Sequence, residues 1–100
     1  MNSRLPSLSG LRAFEAAARH LSVTLAAGEL NVTPGAVSLQ IRELEQSLDI
    51  RLFDRRPRQL ALTEHGEGYF KAMRSAFRMM REATDELLAR AKSPATLSIS

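Results

Sequence analysis

Between Ser22 and Leu48 the apolar residues fall into two short helical stripes, Val23, Ala26, Ala27 and Leu30, then Val37, Ile41, Leu44 and Leu48. Steps of three and four place each set on one face of a helix. Ser22 stands where an N-cap is needed for the first helix, Asn31 and Val32 make the turn, and Thr33 caps a second helix that has Pro34 at its first position. Proline costs nothing there, because its missing N–H would have no helical partner and its fixed φ already suits a helix. The stretch therefore predicts a helix-turn-helix. The outer face of the second helix carries Gly35, Leu39, Arg42 and Gln46, with Ser38 and Glu43 on its flanks. A helix start built from a cap, a glycine and small residues lets backbone amides approach an anion, for which phosphate is the natural candidate. The ordinary alternative is a surface helix of a small bundle.

The pattern on either side extends this unit. After a lead-in over residues 1–6, the run Gly10–His20 reads as a helix starting near Ser9, with Leu11, Phe14 and Ala18 inward and Leu8 and Leu21 packing at its ends. It would close a three-helix core over Val23, Leu30, Val37, Ile41 and Leu44, since two helices alone bury too little surface. His20 reads as a capping or surface residue with nothing to pair with. After Asp49 and Ile50, Arg51–Asp54 and Gln59–Leu62 read as two strands around an Arg55–Arg58 tip, a wing in which Leu52, Leu60 and Leu62 alternate and Phe53 fits neither face clearly. Thr63 then caps an uninterrupted helical pattern to Ala91, roughly 42 Å long at 1.5 Å per residue, with Glu64 and Glu67 in its first turn. Its seam of Tyr69, Met73, Ala76, Met80, Ala83 and Leu87, widened by Phe70 and Phe77, is too long for a small core and is expected to need a second copy to cover it. Ser93-Pro94-Ala95 breaks the helix, and residues 96–100 alternate like the opening of a strand. The expected organisation is a winged helix-turn-helix unit over 1–62, a long helix over 63–92 that pairs with a second copy, and a break followed by a strand-like stretch over 93–100.

Composition changes this picture little, but the distribution of charge does. At 100 residues, 44% hydrophobic and 25% charged, the chain fits one small globular domain. No apolar run approaches membrane-spanning length, no signal segment opens the chain, and a cytoplasmic location is expected. With no cysteine there is no disulfide, thiolate nucleophile or thiolate metal site. The net charge is +3, and residues 51–58 alone hold four Arg against one Asp, so the rest of the chain is neutral. A short basic cluster is usually a solvated loop; beside a helix-turn-helix it points to an anionic partner.

The residues Ser22-x-Thr24-x-Ala26-Ala27, Val32-Thr33-Pro34-Gly35-Ala36-Val37-Ser38-x-Gln40-Ile41-Arg42-x-Leu44-Glu45, Leu52-Phe53-Asp54-Arg55 and Leu60-Ala61-Leu62-Thr63-Glu64-x-Gly66 resemble the LysR-type transcriptional regulators in content and order. The likeness spans about Leu8 to Leu88, and Leu5–Ala27 is most similar to the glycine-cleavage-activator branch. It implies a mainly α fold, a winged helix-turn-helix of three helices and a two-stranded wing followed by a long dimerisation helix. It implies backbone contacts from Ser22 and Thr24, a phosphate contact at Thr33, groove-facing Ser38 and Arg42, and a wing served by Arg55, Arg56 and Arg58. Pro34 and Gly35 would open the recognition helix. Two positions depart from the family pattern: Pro34 where Gln is frequent, and Leu39 where a polar or basic residue is common, so the base preferences of relatives do not transfer. Leu39, apolar yet opposite the buried stripe, is a candidate for a thymine methyl. The resemblance further implies antiparallel pairing of the long helices through Tyr69, Met73, Ala76, Phe77, Met80, Ala83 and Leu87, an inverted-repeat operator, and a ligand-sensing domain elsewhere that takes a small-molecule effector.

Three functions are thus in play. The resemblance favours a transcription factor that binds double-stranded DNA as a homodimer, with tetramers of longer chains left open. The alternative is a dimeric protein-interaction module that does not bind DNA. An enzyme is disfavoured, because the sequence has no Gly-rich phosphate loop, no metal-spaced cluster and no nucleophile with a positioned base; neither a cofactor nor a metal is expected within these residues.

Overall fold

A computed structural model describes residues 5–57 and 59–92. In chain order the elements are α1 (Leu8–His20), α2 (Val23–Leu30), α3 (Pro34–Leu48), β1 (Phe53–Arg56), β2 (Gln59–Leu62) and α4 (Glu64–Ala91). Each helix starts at a hydroxyl cap: Ser7, Ser22, Thr33 and Thr63 accept from the backbone N–H of Gly10, Leu25, Ala36 and Gly66 at 3.0–3.1 Å. The first three helices end on left-handed residues, Leu21, Asn31 and Asp49, with φ of 50–59°. Asparagine and aspartate tolerate that conformation and leucine tolerates it poorly.

The core lies where α1, α2 and α3 meet. Leu11, Phe14, Ala17, Ala26, Ala27, Val37, Ile41 and Leu44 are all buried, with Val23, Leu30 and Leu48 half-buried at the edge. α1 buries more than its expected stripe, taking in Ala13, Ala16 and Ala18 as well. Small side chains allow this, because α1 is covered by α2, α3 and α4 together. The expectation that Leu8 and Leu21 pack at its ends is corrected: they are 57% and 52% exposed. Leu8 is the first helical residue, one position before the expected start, and the left-handed backbone of Leu21 ends the helix with its N–H on the Ala17 carbonyl.

β1 and β2 pair antiparallel, with Phe53 opposite Leu62 and Arg56 opposite Gln59. The hairpin is tighter than expected. Arg55 and Arg56 lie within β1, Arg56 pairs with Gln59 at the end of the ladder, and β1 starts only at Phe53. The later start has a cause: the amides of Leu52 and Phe53 both donate to Glu45 Oε2 of α3, at 2.8 and 3.0 Å, which ties this stretch to the helix instead of to a strand ladder. Phe53, unassigned from sequence, is 1% exposed and meets Phe14 edge-on with ring centres 5.5 Å apart.

α4 begins in the core. Thr63 donates its hydroxyl to the Arg51 carbonyl at 2.7 Å and its N–H to the Leu52 carbonyl at 3.0 Å, while Gly66 is packed so closely that a Cβ there would lie 2.0 Å from the Leu52 oxygen. Tyr69, Phe70, Met73 and Phe77 rest against the core, with Tyr69 against Phe14, and burial raises the Tyr69 pKa. The expectation that nothing within the chain covers the α4 seam is therefore corrected for its first half. Beyond Phe77 the helix runs free, and Met79, Met80, Leu87 and Leu88 are 45–70% exposed. The expected hinge and strand over 93–100 lie outside the described residues.

Candidate nucleic-acid interface

The start of α3 is the centre of the site. Thr33 Oγ1 and carbonyl take the amides of Ala36 and Val37, Pro34 has none to offer, and Gly35 keeps an amide with no acceptor among the described residues. Thr33, Pro34 and Gly35 are exposed, and the space a Gly35 Cβ would occupy is open. One turn further along the same outer face come Ser38, half-buried, then Leu39 at 49% exposure, Arg42 and Gln46. The buried stripe Val37, Ile41 and Leu44 fixes which way this face points. At the start of α2, Ser22 is half-buried at its cap and Thr24 is exposed. Two helix N-termini, each with free amides and a hydroxyl, thus face outward from one small unit, an arrangement suited to backbone phosphates.

The wing supplies the charge. Arg55 is exposed and its guanidinium comes within 3.9 Å of Glu45 Oε1, while Arg56 pairs with Asp54 at 3.3 Å. Surface pairs of this kind are worth little and open readily toward a stronger anion. Arg58 lies outside the described residues.

Two features of the site carried no role in the sequence reading. Glu45, half-buried near the end of α3, holds the root of the wing by accepting two backbone amides, which ties α3 to the hairpin. Arg19 donates to both Glu15 oxygens at 2.8 and 3.0 Å and to both Glu29 oxygens at 2.9 and 2.7 Å, bracing α1 against α2. The i, i+4 spacing of Glu15 and Arg19 was a legible signal; Glu29 was not, because only the α1–α2 packing brings it there. Its bonds to Arg19 and then His20 hold the Glu29 carboxyl down at about 2. His20 Nε2 lies 2.7 Å from Glu29, which corrects the expectation that nothing pairs with it. The proposed interface residues of α4 divide: Tyr69, Met73 and Phe77 are half-buried against the chain's own core, while Ala76, Met80, Ala83 and Leu87 are exposed. Among the described residues no cluster of His, Asp and Glu is arranged to hold a metal, and no helix is long and apolar enough to cross a membrane.

Residues 8–67 match the family model described as bacterial regulatory helix-turn-helix protein, lysR family. The glycine cleavage system transcriptional activator of Escherichia coli K12 is 53% identical over 100 residues, covering 99% of this chain and 33% of that protein. Its Haemophilus influenzae homolog is 52% identical over 88 residues, which are 88% of this chain and 29% of the relative. The chain thus spans about a third of the length of these relatives. Among solved structures, the BenM_DBD/catB site 1 DNA complex superposes with a TM-score of 0.78 at 26% identity, covering 88% of this chain and 98% of that one. The CbnR_DBD–DNA complex gives 0.72 at 25% identity, covering 87% and 100%.

Proposed function

Because the chain belongs to the LysR family of bacterial regulatory helix-turn-helix proteins, we propose that it is the DNA-binding part of a transcriptional regulator, docking α3 in a major groove and the β1–β2 wing in the adjoining minor groove. The observation that carries this reading is the outer face of α3. A core-facing stripe holds the helix rigidly, and its capped start, Ser38, Leu39 and Arg42 stand outward beside a basic hairpin that Glu45 keeps in register. The two DNA complexes to which the fold is similar support it. In this reading Ser22, Thr24, Thr33 and the amide of Gly35 hold backbone phosphates, and Arg42 and Leu39 meet base edges. Arg55, Arg56 and Arg58 serve the minor groove or its phosphates, for which the guanidinium fork is well shaped.

The free half of α4 supports a homodimer. Two-fold symmetry then presents two recognition helices to one face of the duplex, with half-sites of an inverted repeat about one turn, roughly 34 Å, apart, or more where the DNA bends. The reading places the protein in the cytoplasm with no catalytic role and no cofactor in these residues, and assigns any small-molecule effector to parts of a longer protein.

The test is binding to duplexes selected from a random pool, measured across a salt series. An inverted repeat should emerge, log affinity should fall linearly with log salt, and Arg56→Ala should make the slope shallower by about one unit if one phosphate contact is lost. No retained duplex even at low salt would overturn the assignment and leave the protein-interaction module.

A further inference from the structure

Outside residues 51–58 the charges of the chain cancel only as a sum. Residues 71–81 of α4 hold Lys71, Arg74, Arg78 and Arg81 and no acid, and Glu82, Asp85 and Glu86 follow in the next turn. At 3.6 residues per turn Arg74, Arg78 and Arg81 share one face over roughly 10 Å of helix. That face is one flank of the line Phe70, Met73 and Phe77 that packs on the core, and Ala76, Met80, Ala83 and Leu87 form the other, about 150° away around the helix. All three arginines are exposed. With Glu15 and Arg19 of α1 and Glu29 of α2 they line a recess of about 320 Å³, the size of a small-ligand site.

The two carboxylates in this recess do not neutralise the α4 arginines. Both oxygens of Glu15 and both of Glu29 accept from Arg19, and His20 shares Glu29 Oε1. Among the described residues Arg74, Arg78 and Arg81 form no ion pair, even with Glu82 or Asp85 of their own helix. Four guanidinium groups thus stand against two carboxylates that are already engaged, and like charges three and four residues apart on a helix repel. We propose that the recess binds a small anion of two or three linked phosphate groups, held by Arg74, Arg78 and Arg81 of α4 and by the one N–H that Arg19 of α1 leaves unused. Guanidinium forks take phosphate oxygens two at a time, which suits them to this anion. The lining has no aromatic ring and no large apolar side chain, so it offers nothing to stack a base or to anchor a peptide. The site is separate from the helix starts and the wing and does not depend on the DNA-binding reading.

Calorimetric titration of the chain with inorganic tripolyphosphate at about 0.15 M salt, where loosely held counterions are screened, tests this. One anion per chain should bind, and it should raise the thermal unfolding midpoint because only the folded chain brings Arg19 to the α4 arginines. Arg74→Gln/Arg78→Gln should weaken binding at least about tenfold, as the loss of charge-assisted contacts predicts. The midpoint of the anion-free protein should not fall, since both side chains are exposed and unpaired. ATP should bind about as well as tripolyphosphate, the phosphates being all that the lining recognises. Binding that is unmoved by Arg74→Gln/Arg78→Gln, or is lost in Arg55→Gln/Arg56→Gln, would place the anion elsewhere and overturn the proposal. A glutamate-rich peptide that binds more tightly than tripolyphosphate, and is lost in Arg74→Gln/Arg78→Gln, would overturn the ligand class in favour of an acidic protein segment. No saturable binding at millimolar tripolyphosphate would remove the site itself.

Discussion

Gly66 is required by space, not by backbone conformation, and the magnitudes decide what replacing it does. Alanine favours a helix over glycine by about 1 kcal/mol. A Cβ at Gly66, however, would lie 2.0 Å from the Leu52 carbonyl oxygen, a backbone atom that already accepts from the Thr63 N–H. Forcing apart a packed contact of that kind costs about 3 kcal/mol. Gly66→Ala should therefore lose about 2 kcal/mol net, read as a lower midpoint in denaturant unfolding, whereas Gly28, Gly35 and Gly68 have nothing within 4 Å of the same added atom. Leu39 is the opposite case, a large apolar side chain left 49% exposed on the outward face of α3. If it covers a thymine methyl, Leu39→Ala should lower affinity about five- to tenfold at sites carrying that thymine and little at sites lacking it. Competition binding with paired duplexes measures this, and an equal loss at every sequence would show that the side chain reads no base.

At the scale of elements, α1 and α2 are held together by a charge cluster as well as by alanine packing, and the cluster carries a pH signature. Glu29 is held at about 2 against an ordinary 4.5, first by Arg19 and then by His20. A depressed carboxyl stabilises the fold fully above its unfolded value and loses that contribution as pH falls from about 4.5 to about 2. Glu29→Gln should therefore lower stability at neutral pH and flatten the acid limb between those values, seen as closer unfolding midpoints for the two proteins at pH 2.5 than at pH 6. The α3–wing junction is of another kind. There a single carboxylate, Glu45, satisfies two amides that would otherwise be left at the strand's start, and the geometry of the hairpin follows from the helix.

In the whole molecule, the principal extents of 58 × 36 × 21 Å reflect one helix that outruns its core. The first half of α4 is anchored by Thr63, Gly66, Tyr69 and Phe77, and its second half presents an exposed apolar stripe. Met80→Asp places a charge in the middle of that stripe. It should raise the dissociation constant of the proposed dimer about a hundredfold or more, by the penalty for burying an unpaired charge. It should leave monomer unfolding nearly unchanged, because Met80 is 45% exposed within one chain. Sedimentation and denaturant titration of the same sample separate the two effects.

Local signals settled the elements of this protein: hydroxyl caps at Ser22, Thr33 and Thr63, proline at the first turn of α3, and apolar steps of three and four wrote the helices and their inner faces into the chain. They did so because capping and amphipathic periodicity depend on neighbours within one turn. The outward face of α3, and with it most of the candidate site, was legible for the same reason. What lay beyond such signals depends on residues distant in sequence and brought together only by packing. Glu29 meets Arg19 because α2 docks on α1; β1 starts late because Glu45 has captured two amides; Phe53 turns inward because Phe14 is there to meet it. The seam of α4 reads as one continuous stripe along the sequence, yet the core covers it as far as Phe77 and leaves the rest exposed. That division follows from the reach of a three-helix core, a length no periodicity records.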